Sequence, residues 1–377
     1  MADKPSPPSC NTGVEITGLE MDRDTYVSID TMHITVRYPF VDVFRKYAHL
    51  IEGVSSRERI EGISFGEYLI RGGGNGYKVS VWCGDARAYL TDEVDSKRGD
   101  GKGMGIHLQL GPKFLRKYKD DLYKAVIHFL RNLGIRKEYP MRISRIDLAV
   151  DLVGISLNEV KVLDWQEGWV GHSSKFSFYT ERRNMETINI GSRISTIYLR
   201  IYDKKLQARS EGDLDYWQAV WGDTQAPVTR VEWEVKTIAA CFLALEDFKE
   251  FDGVRLRQLA NYLLTWGRLA IRSDEDGNKT RWKTHPFWIE VEKVVKNWIG
   301  NTEGVLSREV KMVQFSEGYA NSLAGNITGG MARACPDDPT IDAMFGALEE
   351  FGITNAKLKR DAREKARRYR IENAKLG

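Results

Sequence analysis

Four stretches of this chain alternate apolar side chains with charged or hydrogen-bonding ones, and that alternation constrains the fold more than any other feature. Arg142–Val153, RISRIDLAVDLV, is the clearest. In an extended strand successive side chains point to opposite faces. Arg145, Asp147, Ala149 and Asp151 therefore share one face, and Ile146, Leu148, Val150 and Leu152 the other. In Gly191–Lys204, GSRISTIYLRIYDK, a turn at Arg193 to Ser195 leads into a strand. Tyr198, Arg200, Tyr202 and Lys204 line its polar side, with Leu199 and Ile201 behind. Gly105–Leu110 puts His107 with Gln109, and Thr229–Lys236 puts Arg230 with Glu232 and Glu234. One such strand reads as a wet sheet surface. Four in one chain point to a shared site on one face of a sheet.

The remaining segments supply the architecture. Ile29–Phe40 alternates as a strand and Val41–Ile51 has helical spacing. Strands are expected at Ile63–Ile70 and Tyr77–Trp82, joined by RGGGNG. That link lacks the GK[ST] ending of a phosphate loop, so it reads as a flexible hairpin. Asp95–Gly105 is a polar, Gly-rich loop, and Lys113–Leu133 an amphipathic helix. The helix has a basic face of Lys113, Arg116, Lys117 and Lys119, either solvated or set against a nucleic-acid backbone. Leu157–Trp165 reads as a helix, Lys175–Thr180 and Thr187–Ile190 as strands, and Leu214–Trp221 as a short helix. From Cys241 the pattern is helical, at Phe242–Phe248, Val254–Leu269 and Pro286–Ile299. Ser322–Pro339 reads as a linker, followed by helices at Asp342–Phe351 and Ala356–Lys375.

These segments predict an α+β fold. A mixed, largely antiparallel sheet is built from two αβ halves of similar order, a structural duplication without visible identity. Residues 1–25 form a flexible leader, 26–270 the two halves, and 271–377 a helical C-terminal region with a basic tail. The hydrophobic share of 42% supports a sizeable core. No apolar run approaches ~20 residues, so no membrane span is expected. Four scattered cysteines without a CxxC pair argue against a zinc ribbon or a disulfide framework and fit the cytoplasm. The net charge of +3 matters less than its clustering in basic patches.

The polar faces carry the parts of a phosphate-cutting site. A phenol is a weak nucleophile until it loses its proton, and cations such as Arg200 and Lys204 favour the phenolate. Carboxylates with an imidazole or amide suit a hard cation, Mg²⁺ or Mn²⁺. Glu234 would support the acids or pair with Arg230, and Asp151 would cap the strand end. Trp165, Trp217, Trp233, Trp266 and Trp288 fit core packing, with stacking on extruded bases as the alternative.

GSRISTIYLRIYDK, preceded by RIDLAVD and followed by RVEWEVK, resembles the Rep_trans family of rolling-circle plasmid replication initiators and related conjugative-element relaxases. The likeness covers about residues 28 to 270, and GIHLQLG resembles the strand that the family places before its basic helix. The resemblance implies a nickase and strand transferase acting on plasmid or phage origin DNA, single-stranded or cruciform. It implies a 5′-phosphotyrosine, a free 3′-OH, a host DNA helicase as partner and a homodimer. Tyr202 of the R-I-Y-D-K block matches the most regular tyrosine, with Tyr198 as the alternative. Asp147 and Glu232 come first as metal ligands. His107 is third, because His107-Leu108-Gln109 looks like a degraded His-hydrophobic-His motif, and a structural role for it stays open. Arg145, Lys113, Arg116, Lys117, Arg363 and Arg367 are the expected DNA contacts. A first strand near Ile29 leaves no room for the extra N-terminal domain of many relaxases, which favours an initiator. A non-catalytic origin-binding protein is the competing class.

In the tail, Lys357, Lys359, Arg360, Arg363, Lys365, Arg367, Arg368 and Arg370 outnumber the acids. Deleting residues 356–377 is expected to weaken DNA binding and flatten its salt dependence, since neutralised phosphates release counterions. Identical salt titrations with and without the tail would remove this role.

Overall fold

In a computed structural model, the described residues are 26–36, 40–74, 76–92, 105–181, 184–222, 224–237, 242–245, 247–306, 317–337, 339–350, 353–354 and 356–360. The expected leader, most of the loop at 95–105, and Arg363 and Arg367 in the basic tail lie outside them. Two units are present, Met1–Arg308 and Glu309–Gly377.

The first unit is organised around β1 (Tyr26–Val36) and β7 (Met141–Val153), paired antiparallel in the middle of an eleven-stranded sheet. From β1 the chain passes through α1 (Val41–Ala48) and α2 (Ser56–Glu61) to one edge. It then returns through β2 (Ile63–Phe65), β3 (Tyr68–Gly72), β4 (Val79–Cys83), β5 (Ala86–Leu90) and β6 (Ile106–Leu110), which closes onto β1. Two helices follow, α3 (Pro112–Lys117) and α4 (Leu122–Leu133). From β7 the chain runs through α5 (Val162–Gly168) and the short β8 (Trp169–Gly171) to the opposite edge. It returns through β9 (Phe176–Glu181), β10 (Asn184–Ile190) and β11 (Ile197–Asp203). After α6 (Lys204–Glu211) and α7 (Leu214–Trp221), β12 (Val228–Val235) closes onto β7. Each half thus starts at the centre, jumps to its own edge and meanders back, so the two halves have a similar order of elements. The fold is α+β. Every described pairing is antiparallel, so the parallel component of the expected mixed sheet is absent from these pairings.

One face of the sheet is apolar. Met32, Ile34 and Val36 of β1, Ile146, Leu148 and Val150 of β7, and Val231, Trp233 and Val235 of β12 are buried there. Across it lie α8 (Gly253–Trp266), β13 (Gly267–Leu269), which pairs with β8, and α9 (Pro286–Ile299). The Trp288 indole of α9 stands edge-on to Trp233 and Trp169, with centroids 6.2 and 5.4 Å apart. The helical region expected from residue 271 therefore contributes α9 to the first unit's core. Trp165, Trp217, Trp233, Trp266 and Trp288 are all at most 6% exposed, which rules out base stacking by these five.

Other expectations shift for local reasons. Lys113–Leu133 is two helices, because the chain turns at Tyr118–Asp121, where consecutive aspartates favour turns and caps over helix interior. Ile63–Ile70 is a hairpin, because Gly66 takes φ +62° between β2 and β3. Phe242–Phe248 contains short 3₁₀ turns rather than an α-helix. The expected linker at 322–339 overlaps α10 (Glu317–Ala334), which packs with α11 (Ile341–Glu350) in the second unit. Ala320, Leu323, Ala324, Ile327 and Met331 recur at helical spacing there and outweigh the glycines. No described helix is long and apolar enough to cross a membrane.

Trp233 joins β12 to α9, so Trp233→Ala should cost ~3–5 kcal/mol through lost burial and the cavity left behind. Urea unfolding measures this, and a shift below ~1 kcal/mol would show that the indole cluster does not hold the layers together.

Candidate functional site on the polar face of the sheet

The opposite face gathers the polar residues, and strand register decides which of them meet. Across β11, β12 and β7, Tyr202 is opposite Arg230, which is opposite Asp151. The next row is Arg200, Glu232 and Ala149, and the third is Tyr198, Glu234 and Asp147. Both tyrosines and all four acids thus sit on three adjacent strands. His107 lies two strands beyond β7, across β1.

The Tyr202 end is roofed. Arg230 is fully buried and binds Asp151 through Nε at 2.5 Å and Nη2 at 2.7 Å, and also binds Asp30. The Trp221 indole of α7 donates to the second Asp151 oxygen at 2.9 Å. Asp151 is thus an ion-pair partner rather than a strand cap. Burial opposes its charge, but Arg230 more than offsets this and holds the carboxyl below its ordinary range. Trp217 lies over both Arg230 and Lys204, 4.3 Å from each charge centre. Beneath this roof the Tyr202 hydroxyl donates to Glu232 Oε2 at 2.7 Å. Burial and the Glu232 charge push the phenol well above its ordinary value. The expected cation-stabilised phenolate is therefore corrected at Tyr202. Lys204 does not continue the strand. It opens α6, is 2% exposed, and bonds Gln207 Oε1 at 2.5 Å. Burial pushes it down to about 8, with Arg230 adding.

The basic helix face is also altered. Lys113 pairs with Asp213 at 2.6 Å, and Arg116 donates to Ser28 Oγ at 3.0 Å. Of the four cations, Lys117 and Lys119 are exposed.

The Tyr198 end adjoins an open cleft, although Tyr198 itself is only 4% exposed. A cleft of about 670 Å³ is lined by Lys175, Ser177, Asn189, Arg193, Tyr198 and Arg200, among others. Gly191, at φ +104°, turns the chain out of β10, and Ser195 N–H closes the turn on the Ser192 carbonyl at 2.8 Å. That turn carries Arg193 over the Tyr198 ring, 5.3 Å from its centroid. Burial raises the Tyr198 phenol, while Arg193 and Arg200 pull it down. Asn189 Oδ1 is buried without a hydrogen-bond partner among the described residues, and Arg200 is ion-paired with Glu232.

Between the two ends lie the expected metal ligands. Both Asp147 oxygens are held by Arg145, at 2.7 and 2.5 Å. Burial pushes Asp147 up to about 7, with Glu232 and Glu234 adding and Arg145 opposing. Arg145 also lies 3.1 Å from Glu234 Oε2, so Glu234 faces Arg145 rather than Arg230. Glu232 serves Arg200 and Tyr202. His107 Nε2 lies 3.1 Å from His33 Nδ1. Among the described residues no three His, Cys, Asp or Glu side chains are grouped to hold a cation. The carboxylate oxygens already face guanidinium or phenol donors, so Asp147, Glu232 and His107 do not fit Mg²⁺ or Mn²⁺ as arranged. His33 supplies the second imidazole that the His107-Leu108-Gln109 segment lacks. Its signal was present in IDTMHITV, where His33 alternates with buried Met32 and Ile34.

Burial pushes His33 down to about 3, with His107 and Arg145 adding, and His107 down to about 4, with Arg145 adding. Unfolded histidine titrates near ~6.5, so below that pH the unfolded chain binds more protons than the folded one. The pair's contribution is present above ~6.5 and is lost as pH falls toward the folded values, by up to ~1.4 kcal/mol per pH unit per histidine. Unfolding midpoints between about pH 6.5 and 4 should fall less steeply in His33→Asn/His107→Gln. An unchanged slope would refute burial of two neutral imidazoles.

Comparison with protein-family models and with curated proteins finds no match. Among solved structures, the chain is similar to the rolling circle replication initiator protein from Geobacillus stearothermophilus, with 18% identity and a TM-score of 0.44, over 75% of this chain and 99% of that one.

Proposed function

We propose that this protein is a rolling-circle replication initiator that cuts one DNA strand by transesterification on Tyr198. One observation carries the choice of residue: both candidate tyrosines are buried, at 4% and 6% exposed, but Tyr198 lines the open cleft, while Tyr202 is hydrogen-bonded under the α6–α7 roof. Lys175 and Arg193 give that cleft the positive charge a phosphodiester needs, and preorganised charge is the largest common contribution to such catalysis.

The chemistry follows from these side chains. Tyr198 Oη attacks phosphorus and its proton passes to Glu234, directly across the ladder. The bond from phosphorus to the 3′ oxygen breaks and that oxygen takes up a proton. A 5′-phosphotyrosine and a free 3′-OH result. The reverse reaction reseals the strand, because the ester keeps the bond energy. Plasmid or phage origin DNA, a host helicase and a second copy of the chain are the partners this reading carries, and a relaxase would use the same chemistry. The competing reading, an origin-binding protein without catalysis, is favoured by the raised Tyr198 phenol and the paired carboxylates.

Incubation with a single-stranded origin oligonucleotide, with Mn²⁺ or with a chelator, separates these readings. A covalent adduct is expected in the parent and in Tyr202→Phe, and none in Tyr198→Phe. Glu234→Gln should slow adduct formation by ~10²–10⁴-fold. An adduct that survives Tyr198→Phe but not Tyr202→Phe moves the nucleophile. No adduct with any origin sequence leaves the binding-only reading, and the chelator arm tests the cation.

A further inference from the structure

The first half's share of the sheet is chemically unlike the second. Strands β2 to β6 contain no aspartate or glutamate. Their arginines, Arg71 on β3 and Arg87 on β5, both lie against the Trp82 indole of β4, with guanidinium carbons 4.3 and 3.9 Å from a ring centroid. Since β3 and β5 flank β4, one cation arrives from each neighbouring strand. The indole is held in place: Trp82 Nε1 donates to Ser80 Oγ at 2.9 Å, and Ser80 Oγ donates to the Gly72 carbonyl at 3.2 Å. Arg71 Nε is buried without an acceptor among the described residues. The nearby Asp85 carboxylate accepts from the Lys113 backbone N–H at 2.8 Å. Two positioned guanidinium groups on acid-free strands favour an anionic partner. Beside them, Tyr89 and His107 bring ring centroids within 5.9 Å of each other.

Register joins this patch to the cleft. Trp82 is opposite Arg87, Arg87 opposite Gln109, Gln109 opposite His33, and His33 opposite Arg145. Arg145 holds Asp147, which is opposite Glu234, which is opposite Tyr198. The path crosses six strand-to-strand steps, and ~4.8 Å per step gives about 29 Å. A single polynucleotide strand matches this surface at both ends. It is anionic throughout, and its unpaired bases can stack on aromatic rings, as duplex bases cannot. Site sizes of about 4–16 nucleotides suffice for the distance.

We propose that Arg71, Trp82, Arg87 and Tyr89 form a second binding site, for single-stranded DNA, holding the same strand whose scissile phosphate enters the Tyr198 cleft. That the strand continues to a cut rests on the proposed function; the site itself does not.

Fluorescence anisotropy with labelled oligo-dT tests it without any cleavage. Arg71→Ala/Arg87→Ala should bind an oligomer of about 12 nucleotides roughly tenfold more weakly. Its salt slope should fall by about 1.4, two phosphates at ~0.7 each. Arg71→Lys/Arg87→Lys keeps the charges and should recover the slope. Unchanged affinity and slope in the alanine variant, loss of slope in the lysine variant, or equal affinity for duplex DNA would each overturn the proposal. If no adduct forms with any origin but binding still depends on Arg71 and Arg87, the nickase reading fails and this site stands.

Discussion

The antiparallel ladder of β7, β12 and β11 is the constraint on which the rest depends. Because side chains alternate with a period of two, a one-residue slip would send Asp147, Glu232 and Tyr198 into the apolar core. The slip is blocked from both sides. Behind the sheet, Leu148, Val150, Val231 and Trp233 are buried. In front, fully buried Arg230 grips Asp151 across the ladder. Buried ion pairs contribute little net stability, yet breaking one leaves an uncompensated charge, so this pair enforces register more than it adds stability.

Each buried acid on the polar face meets an arginine. Arg145 sits with Asp147 and Glu234, Arg200 with Glu232, and Arg230 with Asp151 and Asp30. Buried carboxylates without such partners would be protonated. Asp147, shared between one arginine and two repelling glutamates, is pushed up to about 7. The Tyr198 end differs, because Arg193 and Lys175 lie at an open cleft instead of inside a closed pair. An incoming phosphate meets positive charge there without first displacing a buried acid.

The duplication divides labour. Each half lays its returning strands against its own central strand, so both present a polar face on the same side of the sheet. The second half fills that face with paired acids, arginines and tyrosines, and caps one end with α6 and α7. The first half leaves β2 to β6 acid-free, with arginines on an indole and a histidine pair at the seam.

By itself the sequence determined the four polar-faced strands, their two faces and the identity of the polar residues. A period-two pattern such as RIDLAVD is local, and local patterns survive any choice of partners. Which tyrosine lines a cleft was decided only by tertiary structure, since both are buried. Tyr198 and Tyr202 stand two strand repeats apart on the same face, and the tryptophans that cover Arg230 and Asp151 beside Tyr202 come from a helix beyond the strand's end. His33 and His107 are likewise separated by 74 positions in the chain, so only the β1–β6 pairing brings them together. The basic helix shows the same limit. Its spacing predicted a cationic face, but Lys113 and Arg116 found partners on α7's N-terminal side and on β1, contacts that no local pattern encodes.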